Sequence, residues 1–260
     1  MPRPRRPDGD RPRSPDPSET WIYGVHPVLE ALEASDRSVE KIVVAREAGG
    51  TLGRLLREAR RAEVPVSRVP RPVLDRTVGR KNHQGVAARV AAVAYRQLAE
   101  VTAAALRKDA GLMVLLDRVE DAGNLGAALR ACAAVGVDGV VLPTEGSAGL
   151  TAAVERASAG TASRVPVARA SRLRRAWEGW RAAGFKTAAL VAGGETDWDS
   201  VDWSGPWILA AGRERDGVRP WLRREADVRI ALPLAPGIES LNVSVALGAV
   251  LYERLRSLKK

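Results

Sequence analysis

Residues 111–143 read GLMVLLDRVEDAGNLGAALRACAAVGVDGVVLP. A short apolar run ends near Asp117, a polar loop follows, NLGAALRACAAVG has the composition of a helix, and DGVVLP starts a second apolar run. Short apolar stretches bounded by Gly, Pro or Asp suit parallel strands buried on both faces, with a helix as the crossover. The rhythm continues through LTAAVERASAGT (helix), RVPVARA (strand), SRLRRAWEGWRAAG (helix), KTAALVAG, PWILAAG and VRIALPL (strands), to the long helix SLNVSVALGAVLYERLRSLKK. The fold class expected for residues 111–260 is therefore α/β with a parallel sheet.

Working back toward the N-terminus, RQLAEVTAAALRKDA (96–110) reads as a helical linker. Residues 21–95 carry a second alternation: WIYGV, the helix HPVLEALE, VEKIVVAR, the helix TLGRLLREARRAE, VPVSRV, the helix RPVLDRTVG and GVAARVAAVAY. This is a small α/β domain of roughly 75 residues, within the usual range. In TLGRLLREARRAE, Leu52, Leu55, Leu56 and Ala59 share one face and Arg54, Arg57, Arg60 and Arg61 fall largely on the other. A solvated face is the first reading of that charge run, an RNA-facing one the second. Residues 1–20 hold six of the sixteen Pro and few apolar side chains, which reads as a disordered tail.

Composition removes several function classes. The 260 residues include no apolar run long enough to span a bilayer, and the N-terminus lacks the apolar core of a signal peptide. The expectation is a soluble cytoplasmic protein with no membrane partner. One Cys and two His argue against a disulfide framework and against a metal centre, so no metal is expected. His26 at a helix start and His83 in a polar loop read as surface residues. The net charge of +10, carried mostly by Arg, nominates a polyanion as partner.

In an open parallel sheet, ligands gather outside the carboxyl ends of the strands. Three such places stand out. After the first strand, Asn124 is a plausible helix N-cap, Gly126 implies close approach by another backbone or a ligand, and Arg130 sits in an otherwise apolar helix. After WILAAG come Gly212, Arg213, Glu214, Arg215, Asp216 and Gly217, which match neither a dinucleotide fingerprint nor a P-loop. The strand VRIALPL ends at Pro233, and a Pro-Gly loop leads through Glu239, Ser240, Leu241, Asn242, Val243 and Ser244, where Ser240 or Asn242 could cap the last helix. No G-x-S-x-G elbow or H-E-x-x-H motif occurs.

In this order, Asn124-Leu-Gly126 with Arg130, Gly212-Arg213-Glu214 with Gly217, and Leu232-Pro233-Leu234 with Glu239 to Ser244 resemble the SpoU-type RNA 2′-O-methyltransferases of the SPOUT superfamily. WIYGVHPVLEAL and NHQGVAARV resemble the N-terminal substrate-binding domain of the longer members, so the likeness spans about residues 20 to 258. The second segment departs from the commoner small-residue form, with Arg213 before Glu214 and Arg215-Asp216 after it.

The resemblance implies a C-terminal trefoil knot, an N-terminal RNA-binding domain, S-adenosyl-L-methionine as cofactor, and a homodimer whose active site is completed across the interface. It places Gly212, Leu232 and Leu241, with Gly217 and Leu234, on the cofactor, and makes Asn124, Arg130, Glu214, Ser240 and Asn242 the catalytic set. The family proposal has Arg130 as general base. A guanidinium does not release its proton near neutrality, so an electrostatic clamp on phosphate or alkoxide is the other role. The implied reaction is 2′-O-methylation of a ribose, guanosine in 23S rRNA first. The alternatives are a tRNA ribose, an adenosine of 23S rRNA as in antibiotic resistance, and a non-catalytic RNA-binding assembly factor.

Overall fold

A computed structural model describes residues 20–33, 39–48, 52–79, 82–91, 94–213 and 216–259. The expected tail, apart from Thr20, and Glu214 lie outside the described residues.

The N-terminal part is a four-stranded sheet, ordered β1-β4-β2-β3 from β1 (Thr20–Tyr23), β2 (Val39–Ala45), β3 (Val66–Val69) and β4 (Val86–Val90). β4 runs antiparallel to β1 and β2, while β2 and β3 are parallel. Helices α1 (Val25–Glu33) and α2 (Gly53–Arg61) cover one face, packing Val28, Leu55 and Ala59 against Ile42, Val44 and Val86. Helix α3 (Arg71–Val78) closes the other face through Leu74 and Val78 against Val43 and Ala87. The α2 arginines point outward as expected, Arg54 pairing with Glu33 and Arg61 with Glu58. His83 corrects the surface reading. It is 1 % exposed, its Nδ1 accepts the Gly85 N–H at 3.0 Å and its Nε2 lies 2.7 Å from Asp75 Oδ1. With Nδ1 accepting, Nε2 carries the proton and donates to Asp75.

The larger part is a seven-stranded sheet in the order β7-β6-β5-β10-β8-β11-β9, every neighbouring pair parallel. The strands are β5 (Leu112–Asp117), β6 (Gly139–Pro143), β7 (Val167–Ala170), β8 (Lys186–Leu190), β9 (Thr196–Asp197), β10 (Trp207–Gly212) and β11 (Val228–Ala231). Helices α5 (Ala122–Val135), α6 (Ala152–Ala157) and α9 (Val243–Ser257) build a core on one face around Leu125, Leu129 and Leu247. Helices α4 (Leu98–Leu106), α7 (Leu173–Ala182) and α8 (Pro220–Glu225) cover the other around Met113, Trp177 and Leu222. Every residue of β5, β6 and β10 is buried, as two-sided cover requires. The segment expected as a linker is thus largely α4, whose Val101 and Ala105 belong to this core.

The two parts meet at a buried joint. Glu40 of β2, 1 % exposed, accepts the Tyr95 hydroxyl at 2.5 Å and the Leu150 N–H at 2.7 Å, and Arg89 Nε lies 3.0 Å from its other oxygen. A Cβ on Gly149 would fall on the Glu40 carboxylate. Burial, reinforced by the Glu40 carboxylate, pushes the Tyr95 phenol far above its ordinary range.

Candidate active site

The carboxyl ends of β10, β8 and β11 open on a cavity of about 550 Å³. Its apolar wall is Leu190, Val191 and Ala192 after β8, Leu232 and Leu234 after β11, and Leu241 before α9. Gly212, Gly217 and Ser240 also line it, so the five expected cofactor residues and Ser240 share one space.

Two glycines shape its rim. Arg213 N–H donates to Gly217 O at 3.1 Å and Gly217 N–H donates to Arg213 O at 2.8 Å, folding the chain back on the end of β10. A Cβ on Gly212 would land on the Gly217 carbonyl, and Gly217 has φ +61°. Only a bare backbone fits at the first position, and glycine is favoured at the second.

A second cavity of about 470 Å³ adjoins the first and shares Arg213, Asp216 and Val243 with it. Arg118, Val119, Glu120, Asp121 and Asn124 complete its wall. The Arg213 guanidinium pairs with Glu120 and lies 3.8 Å from Asp216, tying the two strand-end loops together.

Asn124 is not the N-cap of α5. That place belongs to Asp121, whose Oδ1 accepts the Asn124 N–H at 2.8 Å. Asn124 stands in the first helical turn, and its Oδ1 accepts Asn242 Nδ2 at 2.8 Å. Asn242 does cap α9, its Oδ1 accepting the Ser244 N–H at 2.9 Å and the Ser244 hydroxyl at 2.6 Å. Gly126 is explained by backbone packing: a Cβ there would sit 2.9 Å from the Ala157 carbonyl carbon and the Ser158 nitrogen, so α5 touches the end of α6. Arg130 is exposed on α5 and lines neither cavity.

Sequence reasoning overlooked Asp117. It is fully buried at the end of β5, accepts the Arg219 N–H at 2.7 Å, and faces Arg219 Nε at 3.4 Å and Arg118 Nε at 3.6 Å. Arg118 holds φ +60°, a backbone costing on the order of 1–2 kcal/mol for a residue with a Cβ, and the pull of Asp117 opposes that cost. An acid closing an otherwise apolar strand was the available signal. The β8 end was overlooked too, although KTAALVAGG carries the same strand-then-glycine signature as β10.

Burial pushes the Cys132 thiol up to about 12, so it offers no thiolate. Among the described residues no cluster of His, Cys, Asp and Glu suits a metal ion, and no helix is long and apolar enough to cross a membrane. A cavity with one apolar wall and bare backbone at its rim, beside a polar one lined by Asn and Arg, suits transfer from a bound small molecule to a polar acceptor next to it.

Residues 111–252 match the SpoU rRNA Methylase family, and residues 21–96 match RNA 2′-O ribose methyltransferase substrate binding. An uncharacterized tRNA/rRNA methyltransferase of Mycobacterium ulcerans is 40% identical over 242 residues, 93% of this chain and 78% of the relative. A Mycobacterium tuberculosis relative of the same description is 37% identical over 99% of this chain and 83% of its own length. The SpoU methyltransferase AviRb of Streptomyces viridochromogenes, solved in complex with the cofactor AdoMet, superposes with TM-score 0.58 at 26% identity, over 93% of this chain and 91% of that one. An AdoMet-bound rRNA methyltransferase from Sinorhizobium meliloti gives TM-score 0.58 at 27% identity, over 93% of this chain and 88% of that one. With both of its parts matched in order, the chain belongs to the SpoU rRNA methylase family of RNA methyltransferases.

Proposed function

We propose that the protein transfers a methyl group from S-adenosyl-L-methionine to the 2′-hydroxyl of a ribose, a guanosine of 23S rRNA first among the targets. The observation carrying this reading is the pair of adjoining cavities that share Arg213, Asp216 and Val243. The first, at the ends of β10, β8 and β11, has a volume typical of small-molecule sites, and its glycine rim would reject a side chain. Gly212, Gly217, Leu232, Leu234 and Leu241 would hold the cofactor there. When bound, it supplies a methyl group already activated by a sulfonium. The protein's share is to align the ribose oxygen and help remove its proton.

Asn124 in the wall of the neighbouring space, Asn242 bonded to it and Ser240 in the wall of the first, together with Glu214, would position the acceptor. Arg130 acts from a second copy, gripping phosphate or stabilising the developing alkoxide. A homodimer fits the exposed apolar positions of α9, where Val245 is 57 % and Tyr252 is 56 % exposed about two turns apart on one face, next to the α5 that carries Arg130. A knotted thread fits the insertion of β10 between β5 and β8, followed by the return of segment 232–242 across the strand ends. The N-terminal domain favours ribosomal RNA over the targets of short tRNA-specific members.

The test is labelled S-adenosylmethionine with unmodified 23S transcript and unmodified tRNA in separate reactions, followed by digestion and mass spectrometry. A 2′-O-methylguanosine from the 23S transcript is expected. Label confined to tRNA would overturn the substrate, and S-adenosylmethionine binding without turnover on either RNA would overturn the activity.

A further inference from the structure

A third cleft, of about 530 Å³, opens at the carboxyl ends of β6 and β7. It lies on the same edge of the sheet as the two cavities above, displaced by two strands. Thr144 and Glu145 follow β6, Arg172 and Arg175 follow β7, and Arg219 and Trp221 come from the chain after β10. Resting on the proposed reaction, we infer that this cleft grips the phosphodiesters of the RNA strand that flanks the target ribose.

Three observations carry the inference. First, the ridge between this cleft and the acceptor cavity is positively charged. Asp117 is one buried carboxylate between Arg118, which lines the acceptor cavity, and Arg219, which lines the cleft, so the trio keeps one net positive charge. Second, the remaining cations are available. Arg175 is exposed with no acidic partner among the described residues, and Arg172 is 3.7 Å from Glu63 in an exposed pair of the kind that contributes little. The acids in the wall are Glu145 and Glu178, and Glu178 is engaged by Arg174 at 3.2 Å. Third, the aromatic side of the wall is packed in place. Trp221 is held edge-on by Trp177 at 6.1 Å, with the Arg174 guanidinium 5.4 Å from its ring centre. Guanidinium groups on such a wall match the spaced, planar-bidentate demands of phosphate oxygens. The cleft also borders the N-terminal domain, since Glu63 accepts the Ser171 hydroxyl, so a strand held by that domain has a charged path to the acceptor cavity.

The experiment compares wild type with Arg172→Ala/Arg175→Ala, using a labelled oligouridine in anisotropy titrations across a salt series and the 23S transcript in methyl transfer. The double variant is expected to bind oligouridine about tenfold more weakly, with a log–log salt slope shallower by about 1.4, two single-strand phosphate contacts. KM for the transcript should rise while kcat and S-adenosylmethionine affinity stay at wild-type values. Arg172→Lys/Arg175→Lys keeps both charges and should recover most of the binding. Unchanged affinity and slope would overturn the inference. So would an equal loss in Glu63→Gln, because Arg172 would then be a strut between domains. If no RNA is methylated by any form, the proposed reaction fails while the titrations still decide the cleft.

Discussion

Asn242 donates its Nδ2 to Asn124 Oδ1 at 2.8 Å, linking the first turn of α5 to the cap of α9 across 118 positions of sequence. The two residues carry different loads. Asn242 also caps α9, whereas the cap of α5 is Asp121. Asn242→Ala should therefore cost about 1 kcal/mol for the lost cap in addition to the lost bridge, and Asn124→Ala only the bridge, within about 1 kcal/mol. Urea melts of both variants measure this order. Both should lose most methyl transfer, and a fully active Asn124→Ala would remove that residue from the acceptor site.

Gly212→Ala should abolish cofactor binding. The new methyl group collides with the Gly217 carbonyl, a backbone atom that moves only if the 213–217 turn opens. Calorimetry should show S-adenosylmethionine affinity falling by more than about tenfold, since a 1.4 kcal/mol loss already gives that factor.

Gly126→Ala separates packing from ligand contact. Its Cβ meets Ala157 and Ser158 rather than either cavity, so overpacking of about 1–3 kcal/mol is expected with cofactor affinity intact. Loss of affinity without loss of stability would contradict the packing assignment.

The acid limb of stability should carry a signature of Asp227. Burial works against its charge, but hydrogen bonds from the Thr187 hydroxyl and N–H, with Arg181 close by, hold its carboxyl below the usual range. A depressed folded value stabilises the protein above the unfolded value of about 3.9 and is lost as pH falls through the folded one. The Tm difference between wild type and Asp227→Asn should be constant from about pH 5 upward and shrink below about pH 4.

Much of this architecture is legible in the chain. Apolar runs mark the strands of the large sheet other than two-residue β9; the strand-end rule leads to Gly212 and Ser240, the resemblance adds Leu232 and Leu241, and all four share a cavity. Helix α8 escaped notice because PWLRRE has six residues, too few for a period to register. The cap of α5 was misread because Asp121 and Asn124 are both good caps three residues apart, and only the φ/ψ break at Asp121 distinguishes them. His83 reads as exposed because its sequence neighbours are polar, while the partner that satisfies its buried ring, Asp75, lies eight residues earlier. Strand order is set by long-range pairing, so the adjacency of β10 to β5, which brings Gly212 level with Asp117, could not be read locally.

The joint at Glu40 has a metric consequence. A carboxylate seated where only Gly149 leaves room, and held by Tyr95, Leu150 and Arg89, ties the two halves of the molecule together at a buried point. With that tie the halves stand as the two jaws of a caliper. Which nucleotide is modified is then a question of span: the separation, in the folded RNA, between the element gripped by one jaw and the ribose presented to the other.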